Sequence, residues 1–251
     1  MATTTATTSS HAGTLRLRAE RRGERTVLAG VEGHVPYAAR VVASRPGWVR
    51  VVLVQTIAGP LAGDRTQVEV EVGPGAALEV ATNAATLVLP CAEPATHTTR
   101  VRLADGARLA WLPEPLILGA GCDLEASLEL DLASGAAALT RELVVLGRHG
   151  EEPGRYRSRL RCEQGGAPLL HDAVLLGPEP SLTASAAVLG GARAYGSLAL
   201  LGVRPEPADL DELQLAGPGA ALRALAPDAA ALRSRLAAPE AAWLRRVGER
   251  A

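Results

Sequence analysis

Several residue types that usually build protein cores or mark functional sites are scarce in this chain of 251 residues. Phenylalanine is absent, aromatic residues make up 2% of the chain, and there is a single methionine. Valine, leucine and alanine must therefore fill the interior. Lysine is also absent, so all 26 basic residues are arginine, and the formal net charge is −1. This balance lacks the basic footprint that is typical of a nucleic-acid-binding protein.

Residue patterns that hold metals or mark membrane proteins are missing as well. Cys91, Cys122 and Cys162 show no C-x-x-C spacing, and the histidines show no H-x₃-H or H-E-x-x-H pattern, so spacing predicts no zinc site. We interpret the cysteines as buried thiols in a reducing cytosol. No uninterrupted apolar run reaches 18 residues, and the first residues lack the regions of a signal peptide. The sequence therefore predicts a cytoplasmic protein without nucleic-acid or membrane partners.

A phrase that occurs four times gives the strongest structural signal. Each copy has an alternating strand, a short turn and a second strand, and the turn glycines are Gly75, Gly106, Gly135 and Gly166, spaced 31, 29 and 31 residues apart. Alternation of apolar and charged residues, as in VEVEV from Val68, indicates a half-buried strand. A fixed period of this length is typical of stacked units. We predict a mostly β, stacked-strand, β-helix-like single domain whose turn glycines adopt positive φ.

The chain divides into three regions by composition and period. We expect a disordered tail at 1–14, a stacked β domain at 15–204 and a short helical C-terminal region at 205–251 that packs on or near the β domain. Within the β domain, the stretch 182–203 is interpreted as two strands around Gly190 and Gly191.

The C-terminal region changes from a period of two to helical spacing. The leucines between Leu222 and Leu236 follow this spacing, and Asp228 is the predicted N-cap. The apolar side chains of this region are expected to form an exposed surface that a partner covers, namely Leu222, Leu225, Leu232, Leu236, Trp243 and Leu244.

Three phrases in fixed order resemble one known family. They are AGPLAGDRTQVEVEVGPGAALEVATNAAT from Ala58, LAWLPEPLIL from Leu109 and RELVVLGRHGEEP from Arg141. They are similar to the signature stretches of the UreD (UreH) family of urease accessory proteins. Pro60 and Leu87 depart from the usual residues of that family.

The resemblance implies a non-catalytic scaffold of urease maturation with a β-helix-like stack of strands. Such a protein binds apo-urease and UreF, which recruits the GTPase UreG, and it helps to deliver nickel to the urease active site. It holds no tightly bound cofactor, only Ni²⁺ in transit through a polar internal passage. Arg148 is expected to tie down a loop or a carboxylate.

Weak oxygen donors suit such transit, because imidazole and thiolate ligands would hold a transition-metal dication more tightly. Five side chains are candidates for contact with the passing nickel: Asp64, Thr82, Thr86, Glu142 and Asp172. Each has a structural alternative. Asp64 could cap a turn, the threonines could pair across strands, and Glu142 and Asp172 could face solvent.

Two other functions remain open from the residues. The chain could be a stacked-β adaptor for a different partner, without a metal role. It could also be an enzyme with an acid–base pair at Glu142 and Asp172, although no catalytic motif supports that reading.

Overall fold

The computed structural model describes residues 10–61, 63–90, 92–205 and 212–249. Its elements in chain order are β1 (Ala12–Arg22), β2 (Arg25–Glu32), β3 (Tyr37–Val42), β4 (Val49–Gln55), β5 (Arg65–Val72), β6 (Ala77–Thr82), β7 (Thr86–Val88), β8 (Ala95–Leu103), β9 (Arg108–Leu112), β10 (Leu116–Leu118), β11 (Asp123–Leu132), β12 (Ala137–Val145), β13 (Arg155–Gln164), β14 (Ala167–Leu176), α1 (Pro180–Thr183), β15 (Ala194–Leu201), β16 (Leu213–Gln214), β17 (Gly219–Ala226) and α2 (Ala229–Gly248).

The strands form two sheets that face each other. Sheet A has the order β14-β13-β11-β8-β5-β1-β2, and sheet B has the order β16-β17-β15-β12-β9-β6-β4-β3. The central neighbours pair in parallel, as in β5 with β8 and β6 with β9, whereas the edges are antiparallel. This mostly β, solenoid-like stack confirms the predicted fold class.

Each of the first three copies of the repeated phrase contributes one strand to sheet A and one strand to sheet B. β5, β8 and β11 lie in sheet A, and the strands that follow them, β6, β9 and β12, lie in sheet B. The turn glycines have positive φ, with 61° at Gly75, 64° at Gly106 and 64° at Gly135. The amide of Gly75 donates to the carbonyl of Asp105 at 2.9 Å, so successive turns are also joined to each other.

The fourth copy folds differently from the other three. Its second strand, β14, returns beside β13 in sheet A instead of crossing to sheet B. Gln164 pairs with Ala167, and the two residues between them, Gly165 and Gly166, both have positive φ. Two such residues form the tight turn that matches the twist of an antiparallel hairpin. The hairpin therefore ends the solenoid at this edge.

The outer face of sheet A carries charges of alternating sign. Arg16, Glu69, Arg100, Glu129 and Arg161 occupy matching positions on adjacent strands. Arg16 Nε lies 2.6 Å from Glu69, and Arg100 Nε lies 3.0 Å from Glu129. Exposed pairs of this kind contribute about 0–1 kcal/mol each. They keep the face hydrated and avoid like charges on neighbouring strands.

The outer face of sheet B is largely apolar on β9, β12, β15 and β17, and helix α2 covers this part of it. Leu232, Leu236, Trp243 and Val247 are at most 2% exposed and pack on the leucines and alanines of β12, β15 and β17. The predicted N-cap is confirmed, because the Asp228 carboxylate accepts from the amide of Ala231 at 2.8 Å. The expectation of an exposed apolar surface here was wrong, since the helix buries these side chains against the sheet of its own chain.

Ion pairs also fasten α2 to sheet B. Arg141 of β12 donates to both carboxylate oxygens of Glu240 at 2.9 and 3.0 Å and to the carbonyl oxygens of Leu112 and Pro113. Its side chain is only 10% exposed. The helical C-terminal region is therefore an integral layer of the fold.

Two secondary-structure predictions were wrong. The helical spacing from Leu222 to Leu225 belongs to strand β17, which pairs with β15 along eight residues. Alanine and leucine occur on both faces of this strand, with Ala221 and Leu225 on the same face as the exposed Arg223, so the residue types do not alternate clearly. The stretch 182–203 contains the end of α1, a series of turns and the single strand β15.

The described part of the chain includes the end of the predicted N-terminal tail and two of the three cysteines. Of the predicted tail, residues 1–9 lie outside the described residues, and β1 already begins at Ala12. Cys122 and Cys162 are buried as predicted, while Cys91 lies outside the described residues. Neither helix in the described part of the chain combines the length and the apolarity needed to cross a bilayer.

Candidate functional site

The space between the two sheets is divided into layers. Beside the turns, Leu78, Leu109, Leu132 and Leu201 are fully buried in one apolar cluster. At the opposite end, a second apolar cluster contains Leu118, Leu124, Val144, Leu146 and Tyr156. Between these clusters, the inward side chains turn polar on several neighbouring strands.

The change from apolar to polar can be followed along single strands, since alternate residues of a strand face inward. On β8 the inward series reads Ala95, His97, Thr99, Val101, Leu103. On β12 it reads Ala138, Thr140, Glu142, Val144. The polar positions of the two strands fall in the middle of each series. We refer to these central residues and their neighbours, Thr82, Thr86, His97, Thr99, Thr140, Glu142, Ser158, Asp172 and Ser197, as the polar layer.

The polar layer encloses a cavity of about 140 Å³. All nine residues of the layer line it, together with apolar side chains such as Leu53 and Trp111. The lining reaches from Thr82 on β6 to Ser197 on β15, which are three strands apart in sheet B, or about 14 Å at the usual spacing of strands. The cavity therefore extends across the strands rather than along them.

Glu142 lies in the interior of this cavity. The hydroxyl of Tyr156 donates to Glu142 Oε1 at 2.6 Å. Burial raises the pKa of Glu142, while hydrogen bonds from Tyr156 and Ser158 oppose the rise and the charge of Asp172 adds to it. The pKa of Tyr156 is itself raised, by burial first and then by the neighbouring carboxylate. Glu142 does not simply face solvent, which had been its structural alternative.

Asp172 lies on β14, at the free edge of sheet A. Its carboxylate accepts a hydrogen bond from the guanidinium of Arg223, which comes from β17 in sheet B, and one from the amide of Ala173 at 2.9 Å. The hydrogen bond to Asp172 raises the pKa of Arg223. The pair links the two sheets at the edge of the cavity.

Thr82 and Thr86 lie at the other end of the cavity. The hydroxyl of Thr82 donates to the carbonyl of Ala84 at 3.1 Å and accepts from the amide of Glu114 at 2.9 Å. Thr86 is buried and hydrogen-bonds with Tyr37, whose pKa burial raises to about 12. A smaller pocket of about 110 Å³ shares Tyr37, Thr82 and Thr86 with the cavity and continues to the exposed residues 83–85.

Asp64 does not belong to this group. It is fully buried but lies outside the cavity lining, and it accepts from the amide of His11 at 2.7 Å and from the amide of Leu61 at 3.1 Å. Its carboxylate therefore satisfies the backbone of the bend before β5, which corresponds to its structural alternative. Arg148 likewise pairs with the carboxylate of Glu151, as expected for a residue that ties down a loop.

His97 is a polar-layer residue that the sequence patterns did not single out. Its ring lies edge-on to Tyr37, and its Nδ1 is 2.9 Å from the hydroxyl of Thr66. Burial lowers its pKa to about 4, so the imidazole is neutral at pH 7. Histidine spacing along the chain could not reveal this residue, because its neighbours in the cavity come from other strands.

Other contributors were also missed, namely Tyr156, Ser158, Ser197 and Arg223. The period of two on β13 places Tyr156 and Ser158 on one face and could have indicated them. Arg223 was missed because its strand was interpreted as a helix. Among the described residues, no group of three or more His, Cys, Asp or Glu side chains is arranged to hold a metal ion.

Comparison with known proteins adds an independent line of evidence. The family model for the UreD urease accessory protein matches residues 11–251. A protein of Streptomyces coelicolor named urease accessory protein UreD is 42% identical over 223 residues, which cover 84% of this chain and 88% of that protein. A protein of the same name from Streptomyces avermitilis is 43% identical over 226 residues, with 88% of each chain covered.

A more distant similarity extends as far along the chain. Urease accessory protein UreD 2 of Saccharopolyspora erythraea is 35% identical over 239 residues, which cover 89% of this chain and 84% of that protein. The family model and these relatives agree with each other over most of the sequence. The chain therefore belongs to the UreD family of urease accessory proteins, whose role is in urease maturation.

Proposed function

We propose that this protein is a non-catalytic scaffold that binds apo-urease together with UreF and the GTPase UreG in the cytoplasm, and that nickel passes through its polar layer. The observation that carries the proposal is the position of Thr82, Thr86, Glu142 and Asp172, which all line one cavity. Their residue types are suited to weak contact with a metal, and they come from three separate parts of the chain, namely β6 and β7, β12 and β14.

The chemistry of these groups suits brief contact with Ni²⁺. Carboxylate and hydroxyl oxygens bind a transition-metal dication more weakly than thiolates or imidazoles do. Glu142 binds its proton more tightly than usual because it is buried, so an arriving dication must compete with that proton. Thr82 still has one acceptor lone pair after its two hydrogen bonds. Each contact is therefore weak enough to release the metal.

The shape of the cavity supports passage rather than storage. At one end, Asp172 lies beside the partly exposed Arg223. At the other end, the smaller pocket leads from Thr86 to the exposed residues 83–85. A cavity of this size that contains several polar side chains can also hold water, which would accompany the metal as a further ligand. The two ends are separated by strands β15, β12 and β9 of sheet B.

Partners can dock on the edges of the two sheets. Val31 on β2 and Val41 on β3 are exposed at one side, where both sheets end. Leu175 on β14 and Leu213 on β16 are exposed at the other side. Exposed apolar side chains beside unpaired strand edges are typical of surfaces that bind another protein. We assign one of these two edges to UreF and the other to apo-urease.

The decisive experiment removes charge from the cavity and leaves its shape unchanged. The double variant Glu142→Gln, Asp172→Asn should still co-purify with UreF, UreG and apo-urease, and the urease that it activates should contain less nickel than urease activated by the wild-type protein. A matched control, Glu129→Gln with Asp131→Asn, neutralises two carboxylates on the outer face of β11 and should leave the nickel content unchanged.

Three results separate the alternatives. An intact complex with nickel-poor urease supports the passage. Loss of the complex assigns the two carboxylates to folding or to docking. An intact complex with a full nickel content contradicts a metal role for this pair and favours a scaffold or adaptor without one.

A further inference from the structure

Asp172 already has a cationic partner. The guanidinium of Arg223 hydrogen-bonds to Asp172 Oδ1 across the gap between β14 and β17. No second carboxylate pairs with Arg223 among the described residues. The arginine therefore occupies the place at which a cation entering the cavity from this edge would first meet a carboxylate.

A metal dication and this guanidinium cannot share Asp172. Both would lie within a few ångströms of the same oxygen atoms, where like charges repel strongly, and the cavity interior screens this repulsion less than water does. Contact between Ni²⁺ and Asp172 thus requires that Arg223 move away.

Arg223 has a route outward. Its side chain is 47% exposed, whereas that of Asp172 is 23% exposed. Because nearly half of the Arg223 side chain already contacts solvent, its guanidinium can exchange Asp172 for water.

Arg223 is also aligned with the rest of the polar layer. In sheet B, Glu142 pairs with Ser197, and Ser197 pairs with Arg223, so the three side chains lie in one row across β12, β15 and β17. A cation released from Asp172 would next meet Ser197 and Glu142. The row connects the edge of the molecule with its buried carboxylate.

We propose that Arg223 is a built-in competitor for the metal, which occupies Asp172 when nickel is absent and must be displaced before Ni²⁺ can bind there. This inference rests on the proposed passage of nickel through the polar layer. Such competition keeps the affinity of Asp172 for Ni²⁺ low and makes the contact between them reversible.

The test is a double-mutant cycle on the full-length chain, with Ni²⁺ affinity measured by equilibrium dialysis. Arg223→Gln should bind Ni²⁺ about tenfold more tightly than wild type, a change of about 1.4 kcal/mol. Asp172→Asn alone should change the affinity little, because Arg223 masks that carboxylate. Adding Asp172→Asn to Arg223→Gln should abolish the gain, and Arg223→Lys, which keeps the positive charge, should bind as weakly as wild type.

A matched control separates the local effect from a general change of charge. Arg100 pairs with Glu129 on the outer face of sheet A and is 50% exposed, close to the value for Arg223. Arg100→Gln should leave Ni²⁺ affinity unchanged. An equal gain in Arg100→Gln, or no gain in an Arg223→Gln protein that unfolds like wild type, would overturn the proposal. If Arg223→Gln does not fold, Arg223→Met is measured in its place, with the same two outcomes.

The test of this inference and the test of the proposed function can fail separately. A gain that depends on Asp172 supports competition by Arg223 even if charge removal in the cavity leaves urease fully loaded with nickel. Conversely, nickel-poor urease together with an unchanged affinity of Arg223→Gln retains the passage and eliminates Arg223 as its competitor.

Discussion

The layer beside the turns and the polar layer are built on the same strands but filled in opposite ways. Beside the turns, leucines from both sheets interlock and are completely buried, as at Leu78 and Leu109. Four positions from Leu78 and Leu201 along their strands, Thr82 on β6 and Ser197 on β15 face a cavity, and threonine, histidine and glutamate face it from other strands. One layer excludes water and the other can hold it. The comparison indicates that the packed layer stabilises the fold, whereas the polar layer contains the cavity to which we assign the proposed passage.

The physical reason lies in the cost of burial. A fully packed leucine contributes about 1.5–3 kcal/mol through removal of apolar surface from water. A buried carboxylate such as Glu142 opposes folding when it is charged, because its desolvation is only partly offset by Tyr156 and Ser158. The polar layer is thus stable only because apolar layers on both sides hold the sheets together.

The largest expected effect comes from damage to the packed layer. Leu109→Ala should lower the free energy of unfolding by about 2–5 kcal/mol, because the leucine is fully buried among other side chains. Ser197→Ala, in the polar layer, should change it by less than about 1 kcal/mol. Denaturant titration measures both. Equal losses in the two variants would show that the layers do not differ in packing.

An intermediate effect is expected from protonation of His97. Its pKa is about 4 in the folded protein and about 6.5 in an unfolded chain, so the unfolded state binds the proton more tightly. The stabilisation by neutral His97 is complete above pH 6.5 and should be lost as the pH falls towards 4, amounting to about 3 kcal/mol. Unfolding measured between pH 4 and 7 should therefore be less pH-dependent in His97→Gln. An identical pH profile would mean that His97 is not buried as a neutral ring.

The smallest effect should come from titration of Glu142. It lowers the free energy of unfolding as the pH rises, whereas titration of His97 lowers it as the pH falls. Because its folded pKa is raised, the folded state binds the proton more tightly, and stability is lost as the pH rises through the folded pKa. Glu142→Gln should therefore be more stable than wild type at neutral pH, with a difference that shrinks towards acid pH. Asp172, Arg223 and Tyr195 also face this carboxylate, so the profile should be repeated in Asp172→Asn. If Glu142→Gln had a lower free energy of unfolding than wild type at pH 7, the charged carboxylate would not oppose folding through its burial.

The sequence allowed the stack to be predicted because its signals are local. Alternation and positive-φ glycines at Gly75, Gly106 and Gly135 depend only on neighbouring residues. The hairpin after β13 and the strand β17 were not recognised, since the hairpin departs from the repeat and the strand has alanine and leucine on both faces. The pairing of Asp172 with Arg223 could not be foreseen either, because it depends on how the two sheets face each other.

Of the five candidate residues, four line the cavity and Asp64 does not. Residue type indicated that weak oxygen donors would be involved, but it could not distinguish a carboxylate that stabilises a bend from one that lines a cavity. Their hydrogen-bond partners make this distinction. Asp64 accepts from two backbone amides, that of Leu61 in the adjoining bend and that of His11 just before β1. Glu142 instead accepts from the hydroxyl of Tyr156 in the opposite sheet.

The central claim, that nickel travels through the polar layer, is tested most directly by filling the cavity. Ser197→Leu places an apolar side chain between Glu142 and Arg223 without removing any carboxylate. Ser234→Leu, on the exposed side of α2, is the matched control. Nickel in urease is measured after co-expression with each variant, alongside recovery of the complex with UreF, UreG and apo-urease. We expect an intact complex and nickel-poor urease for Ser197→Leu alone, whereas a full nickel content in urease matured by that variant would contradict passage through the cavity.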